Sequence, residues 1–234
     1  MTIRRGAVRI GWFSSVSSAI VGAFFGVVVF FASVGLLWWI EGRVNLANLA
    51  RSAQVAAPDR VDSSLEHRLV SVTSAPTTDR PATDATFLEP LDAISLSRRA
   101  EMYAWIERTD NSRRTYAREW TASPPDSRRF RDPRGHENPA MVHGSHRFVA
   151  ASGRIGVYAF VPAEAALPGG EVLAPTREML RPGAPDGAHV DGDYVYIGRG
   201  ALARPDVGDT RLAYRVYRPG TLATLFGEQH AGAI

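Results

Sequence analysis

The feature that most constrains this chain is a run of 22 residues without a charge, Ala19–Ile40, reading AIVGAFFGVVVFFASVGLLWWI. Its one hydroxyl belongs to Ser33. At about 1.5 Å per residue, a helix of this length covers about 33 Å, enough for the roughly 30 Å hydrocarbon layer. In lipid a lone segment satisfies its own backbone polar groups only as a helix. Trp38 and Trp39 stand at one end, where indoles favour the headgroup zone. A cleaved leader would have a shorter apolar core and a small-residue cleavage site, so the run reads as a retained transmembrane helix. Arg4, Arg5 and Arg9 precede it, and Arg43 and Arg51 follow. That bias puts the N-terminus in the cytoplasm and the bulk of the chain on the periplasmic, extracellular or luminal side. Ser18, Gly22 and Gly26 form a small-xxx-small stripe on which two helix backbones can associate. The plainer reading of the stripe is that glycine is common in membrane helices.

The expected organisation is a basic segment at 1–18, the membrane helix at 19–40, a juxtamembrane helix at 41–57 and a β-rich extracytoplasmic domain at 58–234. The fold class is membrane-anchored α+β, with one N-terminal transmembrane helix ahead of a mostly antiparallel, β-rich domain. The chain of 234 residues has room for both. Cysteine is absent, which excludes disulfides, thiolate metal sites and a cysteine nucleophile. All 27 basic residues are arginine, and a net charge of +3 suits weak attraction to anionic lipid better than nucleic-acid binding.

Beyond the apolar run, Leu46, Leu49, Ala50 and Ala53 recur at helical spacing until Pro58. His67–Thr73 reads as a strand, and Ala75–Pro90 as a long loop. Around EMYAWIER (Glu101–Arg108), Ile94, Leu96, Ala100, Met102, Ala104 and Ile106 share one parity, broken by Arg98. Tyr103, Trp105 and Glu107 take the other. A period of two over this length predicts a long strand with one buried face. Asp110-Asn111-Ser112 is turn chemistry, and Tyr116, Arg118 and Trp120 alternate beyond it, so a hairpin with paired aromatics is expected. Residues 123–146 form an irregular stretch with four prolines. Alternation resumes over Arg147–Val161, with a short helical turn expected at Pro162–Leu167 and a loop at Gly183–Asp193. Tyr194–Ile197, Arg211–Arg218 and Leu222–Phe226 read as the last strands, and Pro219-Gly220 as a turn.

Several of these segments occur together in one known family. They are EGR (Glu41, Gly42, Arg43), RLVSVTSAPTTDRPATDATF (68–87), EMYAWIER with Glu101, Tyr103 and Trp105, and YAREW ending at Trp120. DSRRF follows with Asp126, Ser127 and Phe130, then GHENP with Asn138 and Pro139, and GDTRLAYRVYRPG with Gly208 and Asp209. In that order and spacing the chain resembles the transmembrane protein 43 (LUMA) family, and the arginine-only basic residues suggest a bacterial member. The resemblance implies a membrane protein whose large domain lies outside the cytoplasm, between a first helix and a C-terminal group of helices. It also implies an organiser of membranes that binds other membrane proteins, and it carries over no catalytic residues. Ile40 stands where the family often has asparagine. No second apolar run of membrane length precedes Ile234, so the expectation is either a single-pass member or a truncated form.

Three constellations could carry chemistry. His136, Glu137, His143 and His146 lie in one loop, and histidine with carboxylate is a zinc-binding set. Their spacing is not the helical H-E-x-x-H, and Pro139 opposes a helix there. Asp126-Ser127 raises a hydrolase reading, but no glycine-flanked serine elbow surrounds it, so a turn or cap role is expected. Arg113, Arg114, Arg118, Arg128, Arg129, Arg131 and Arg134 could meet lipid headgroups or an acidic partner, or form a solvated rim. The leading expectation is a scaffold or assembly protein of the cell envelope, without catalytic residues, metal or cofactor. Its partners would be the bilayer and further copies of itself or other membrane proteins, with no nucleic acid. The alternatives are an envelope hydrolase or metal-dependent enzyme using the 126–146 loop, and an anionic-lipid-binding module.

Overall fold

The computed structural model describes residues 26, 29–34, 51–110 and 113–234. Contacts divide the chain into two units, Met1–Ala53 and Gln54–Ile234. In the first, Gly26 and residues 29–34 are helical, and the Ser33 hydroxyl donates to the Val29 carbonyl at 2.7 Å. Val29, Phe30, Phe31 and Val34 are exposed. Among the described residues no helix is long and apolar enough to cross a membrane. Most of the expected membrane helix lies outside the described residues, as do Ser18, Gly22, Glu41, Gly42, Arg43 and residues 44–50 of the expected juxtamembrane helix.

The second unit is built almost wholly from strands. They are β1 (Gln54–Val55), β2 (Leu69–Ser74), β3 (Pro76–Thr77), β4 (Ser95–Asp110), β5 (Arg113–Thr121), β6 (His146–Val149), β7 (Gly153–Ile155), β8 (Tyr158–Phe160), β9 (Glu171–Leu173), β10 (Ala188–Asp191), β11 (Tyr194–Ile197), β12 (Thr210–Tyr217) and β13 (Ala223–Glu228). One sheet runs β10-β11-β12-β4-β5, with β6 on β4 and β9 on β12. Two smaller sheets run β1-β2-β13 and β3-β7-β8. Only β1 and β2 pair in parallel among the described strands. Helical structure in this unit is confined, among the described residues, to three single 3-10 turns.

β4 organises the large sheet. Its 16 residues are long enough to serve different partners at each end. Ser95–Met102 pairs with β12 along one edge, Ser95–Arg98 with β6 along the other, and Met102–Asp110 with β5. The alternation seen in sequence is the burial pattern itself: Leu96, Ala100, Met102 and Ala104 are buried. Leu96 and Ala100 join Phe87, Leu88, Val195, Leu212, Tyr214 and Val216 in one core. A second core gathers Val70, Val72, Ile94, Ile155, Tyr158, Phe160 and Tyr217 under the small sheets. Such burial stabilises by about 25 cal/mol per Å² of apolar area, which offsets the cost of ordering the chain.

Arg98, the residue that breaks the apolar parity of β4, points into that buried face. Its guanidinium donates to the Asp84 carboxylate at 2.7 Å and lies over the Phe87 and Phe148 rings. Asp84 is fully buried and also accepts from the Tyr214 hydroxyl at 2.9 Å and the Thr86 N–H at 3.2 Å. Burial and that carboxylate push the Tyr214 phenol well above its ordinary range. A buried charge is tolerated when it is paired and hydrogen-bonded, and this one is both.

The structure differs from the sequence reading at several places, among them β9 at Glu171–Leu173, where no strand is expected. The juxtamembrane helix expected to reach residue 57 gives way at Gln54, where β1 pairs with β2 and Ala56 enters the core. The expected loop at Gly183–Asp193 contains β10, joined to β11 through Gly192 at φ 58° and Asp193. A two-residue hairpin needs a positive φ that glycine supplies at no steric cost. The loop at Ala75–Pro90 contains β3, whose pairing with β7 is distant in sequence. The strands expected near β2, β4, β5, β11, β12 and β13 are present, and Pro162–Leu167 makes one turn, with Glu164 and Ala165 N–H groups donating to the Val161 carbonyl. Asn111 and Ser112 of the expected hairpin turn lie outside the described residues.

Candidate functional site on the long hairpin

Past Met102, β4 outruns β12 and its free edge needs partners. Tyr103 is the first residue beyond the ladder. Its N–H donates to the Asp209 carbonyl, and its carbonyl accepts from the Gly208 N–H, both at 2.8 Å. Trp105 comes next on the same edge. Here a side chain replaces a strand: Asn138 Oδ1 accepts the Trp105 N–H at 2.7 Å, and Asn138 Nδ2 donates to the Trp105 carbonyl at 2.9 Å. An amide side chain has the donor and acceptor of a peptide group, so it can copy a neighbouring strand. Asn138 is itself fixed. Its N–H donates to Ser127 Oγ at 2.9 Å, and Nδ2 reaches the Pro125 carbonyl at 3.2 Å. Pro139 rests on Gly208, where an added Cβ would lie 2.7 Å from the proline Cγ and φ is 101°. The loop between β5 and β6 is thus sewn along the β4 edge.

Asp126 and Ser127 serve this stitching. Asp126 caps a 3-10 turn at Ser127–Arg129 by accepting the Arg128 N–H, and it pairs with the Arg128 guanidinium at 2.9 Å. That guanidinium and the backbone bond hold its carboxyl below the usual carboxylate range. Ser127 is buried against Asn138. The cap role read from sequence is the one the geometry displays.

The opposite parity of the hairpin carries a row of rings and charges. Tyr103 pairs with Trp120 across the strands, with ring centroids 5.4 Å apart. Arg211 lies 4.6 Å from the Trp120 ring and 4.9 Å from that of Tyr194, while donating twice to the Glu101 carboxylate. Further along, Glu107 accepts from the Tyr116 hydroxyl and the Arg131 N–H, both at 2.7 Å, and pairs with Arg114. The tyrosine bond is the largest of the effects that lower the Glu107 carboxyl below its ordinary value. Phe130 lies against Tyr116. Asp209 anchors the near end: its buried carboxylate accepts the Tyr196 hydroxyl and the N–H groups of Arg199, Gly200 and Asp206. At Gly198, φ is 155° and a Cβ would sit 2.0 Å from Asp209 Oδ1.

The four loop residues read as metal-binding candidates do not converge. His136 stacks on Tyr116 at 3.8 Å and meets Trp105 edge-on. Glu137 accepts the Gly135 N–H. His143 lies against Phe87, where burial and then the Arg98 charge lower its pKa. His146 lies against Phe148. Among the described residues, the histidine–carboxylate group that does converge is Glu66, His67 and His230, at opposite ends of the domain sequence.

The interlocked segments are the ones whose combination resembles a known family, and a comparison of whole sequences decides the matter. The model of the family described as Transmembrane protein 43 matches residues 102–234. The chain belongs to that family. It is 29% identical over 215 residues to the Transmembrane protein 43 homolog of Drosophila melanogaster, covering 82% of this chain and 56% of that protein. It is 29% identical over 230 residues to Transmembrane protein 43 of Rattus norvegicus and 26% identical over 226 to that of Homo sapiens, covering 87% of this chain and 55% of each relative. The chain therefore spans a little over half the length of the curated relatives it matches. No solved structure matches it. The matched region holds the whole β4 edge past the ladder, with Asn138, Pro139, Gly208 and Asp209. Sequence reading selected these residues only as family motif; their bonding became visible once strand register placed them side by side. Asp84 and Arg98, which fall before the matched region, show no local pattern except one charge on an apolar face.

Proposed function

We propose that this member of the Transmembrane protein 43 family is a membrane-tethered assembly module, with a cytoplasmic N-terminus and a β-rich domain on the far side of the bilayer. The domain works by holding copies of itself or other membrane proteins. The relatives' printed name and the charge-free run of 22 residues support the tether. The observation that carries the binding role is the use made of the 126–146 loop. Asn138, Ser127 and Asp126 bond to backbone, and His136 stacks between rings. The result is a hairpin bonded along its edge, with an arginine-edged rim, a shape suited to docking. Tethering to a thin layer raises the concentration that partners experience.

The enzyme alternative has less support, since His136, His143 and His146 each pack against a different ring. The lipid alternative is weakened because Arg114, Arg128 and Arg129 already face Glu107 and Asp126. The test is the protein mass of the detergent-solubilised particle, by light scattering. Two or more chains per particle, or co-purified membrane proteins, is the expected result. A monodisperse monomer without partners at every protein concentration would end the proposal.

A further inference from the structure

Strands β2 and β13 of the β1-β2-β13 sheet meet at their ends in a group of titratable side chains outside the hairpin site. Glu66 and His67 precede β2, Glu228 ends β13 and His230 follows it. His230 Nδ1 is 3.2 Å from Glu66 Oε1, and His67 Nδ1 is 3.2 Å from Glu228 Oε1. Ligand-bearing atoms of Glu66, His67 and His230 all lie within 4.8 Å of one another, and the two imidazole rings are 5.0 Å apart. In a tetrahedral zinc site with bonds of about 2.1 Å, neighbouring ligand atoms are separated by about 3.4 Å. Glu66 and His230 already stand at that spacing, and binding draws in His67 from within 4.8 Å.

The backbone sets the group up. His67 sits at φ 58° and Ala231 at φ 48°, the non-glycine residues with positive φ among those described. The His67 N–H donates to the Gln229 carbonyl at 2.8 Å, which brings the two histidines to the same end of the sheet. Glu66 Oε1 accepts the Ala231 N–H at 2.9 Å. Behind it, the fully buried Gln229 donates to the Asp62 carbonyl at 2.8 Å and approaches Glu66 Oε2 at 3.5 Å. A carboxylate oriented in this way is what a metal site gains from its outer partners.

We propose that Glu66, His67 and His230 form a binding site for a divalent cation of the zinc class, with Glu228 as the outer carboxylate partner of His67. Two imidazoles and a carboxylate are a borderline nitrogen–oxygen set, which suits zinc better than calcium or magnesium. The bound ion clips the start of β2 to the end of β13 across 161 residues of chain. Its binding energy then adds to the stability of the folded domain. The site belongs to no part of the hairpin loop, so the assembly reading and this one stand separately.

The test uses the full chain in detergent, stripped with EDTA and titrated with zinc chloride by calorimetry, with thermal unfolding followed in parallel. One zinc per chain and a rise in Tm are expected. His230→Gln and His67→Asn are each expected to weaken binding by on the order of 100-fold, since changing even an outer partner costs about 10–100-fold. Asparagine also tolerates the left-handed backbone at position 67, so that variant should keep the fold, with circular dichroism as the check. Glu228→Gln, which alters only the outer partner of His67, is expected to weaken binding by about 10-fold. Absence of zinc binding to the folded wild-type chain overturns the proposal. So does binding that survives both histidine changes, or that is lost on His136→Gln instead.

Discussion

Arg98 and Asp84 show how one residue pair can matter more than its share of the sequence. The arginine occupies a core position on β4 with a tenth of its side chain exposed and its partner is fully buried, so both charges are largely withdrawn from water. Removing one partner of such a pair leaves the other uncompensated and typically costs about 3–5 kcal/mol. Asp84→Ala is therefore expected to lose about that much in urea unfolding, and pairing it with Arg98→Met is expected to recover part of the loss. A single variant within about 0.5 kcal/mol of wild type would contradict this, being the range of ordinary surface changes. Glu107 makes a pH prediction. Its folded pKa is lowered, first by the Tyr116 hydroxyl and then by the Arg131 N–H. A depressed carboxylate stabilises above its unfolded pKa of about 4.3, and the contribution fades as pH falls through the folded value. The stability gap between wild type and Glu107→Gln should therefore be full at neutral pH and shrink below about pH 4. A gap that widens on acidification would refute the assignment.

At the scale of elements, the long hairpin depends on a side chain acting as a strand. An unpaired sheet edge invites association with other chains, and proteins cover such edges with loops. Here Asn138 supplies both bonds that Trp105 would otherwise lack. Asn138→Ala is expected to cost about 1–3 kcal/mol, the penalty for leaving buried polar groups unsatisfied. Amide exchange at Trp105 should speed up relative to Leu96 in the same strand, because the effect is local. Uniform exchange along β4 would argue that the loop does not hold the edge. Gly198 is a second pressure point. Alanine there would meet the Asp209 carboxylate at 2.0 Å, so Gly198→Ala is expected to disturb the β11–β12 connection, read as a lowered Tm.

For the molecule as a whole, contacts group Gln54–Ile234 as one unit with two apolar cores. A domain of this size can bury enough surface to fold alone. Residues 54–234 expressed without the preceding segment should therefore unfold in one cooperative urea transition, followed by tryptophan fluorescence. A shallow, non-cooperative transition would show that the first unit contributes to the fold. Strand β4 was legible in sequence because its alternation is local and long. The short strands β1, β3, β9 and β10 were not, since two to four residues carry too little periodicity to stand out. The candidate loop was legible as a motif but not as a mechanism. His136 and Glu137 are adjacent in sequence, yet the loop path turns the imidazole onto Tyr116 and leaves the carboxylate on the Gly135 N–H.

By itself the sequence determined the β-rich class, the parity of β4, the cap at Asp126 and the family, since each rests on residues close together or on their order along the chain. Only the tertiary structure decided that Arg98 meets Asp84, that Asn138 completes the edge of β4, and that Glu66 and His67 face His230. Those contacts depend on strand register. Register is set by burying one face of every strand at once, a condition on the whole domain that no local pattern encodes.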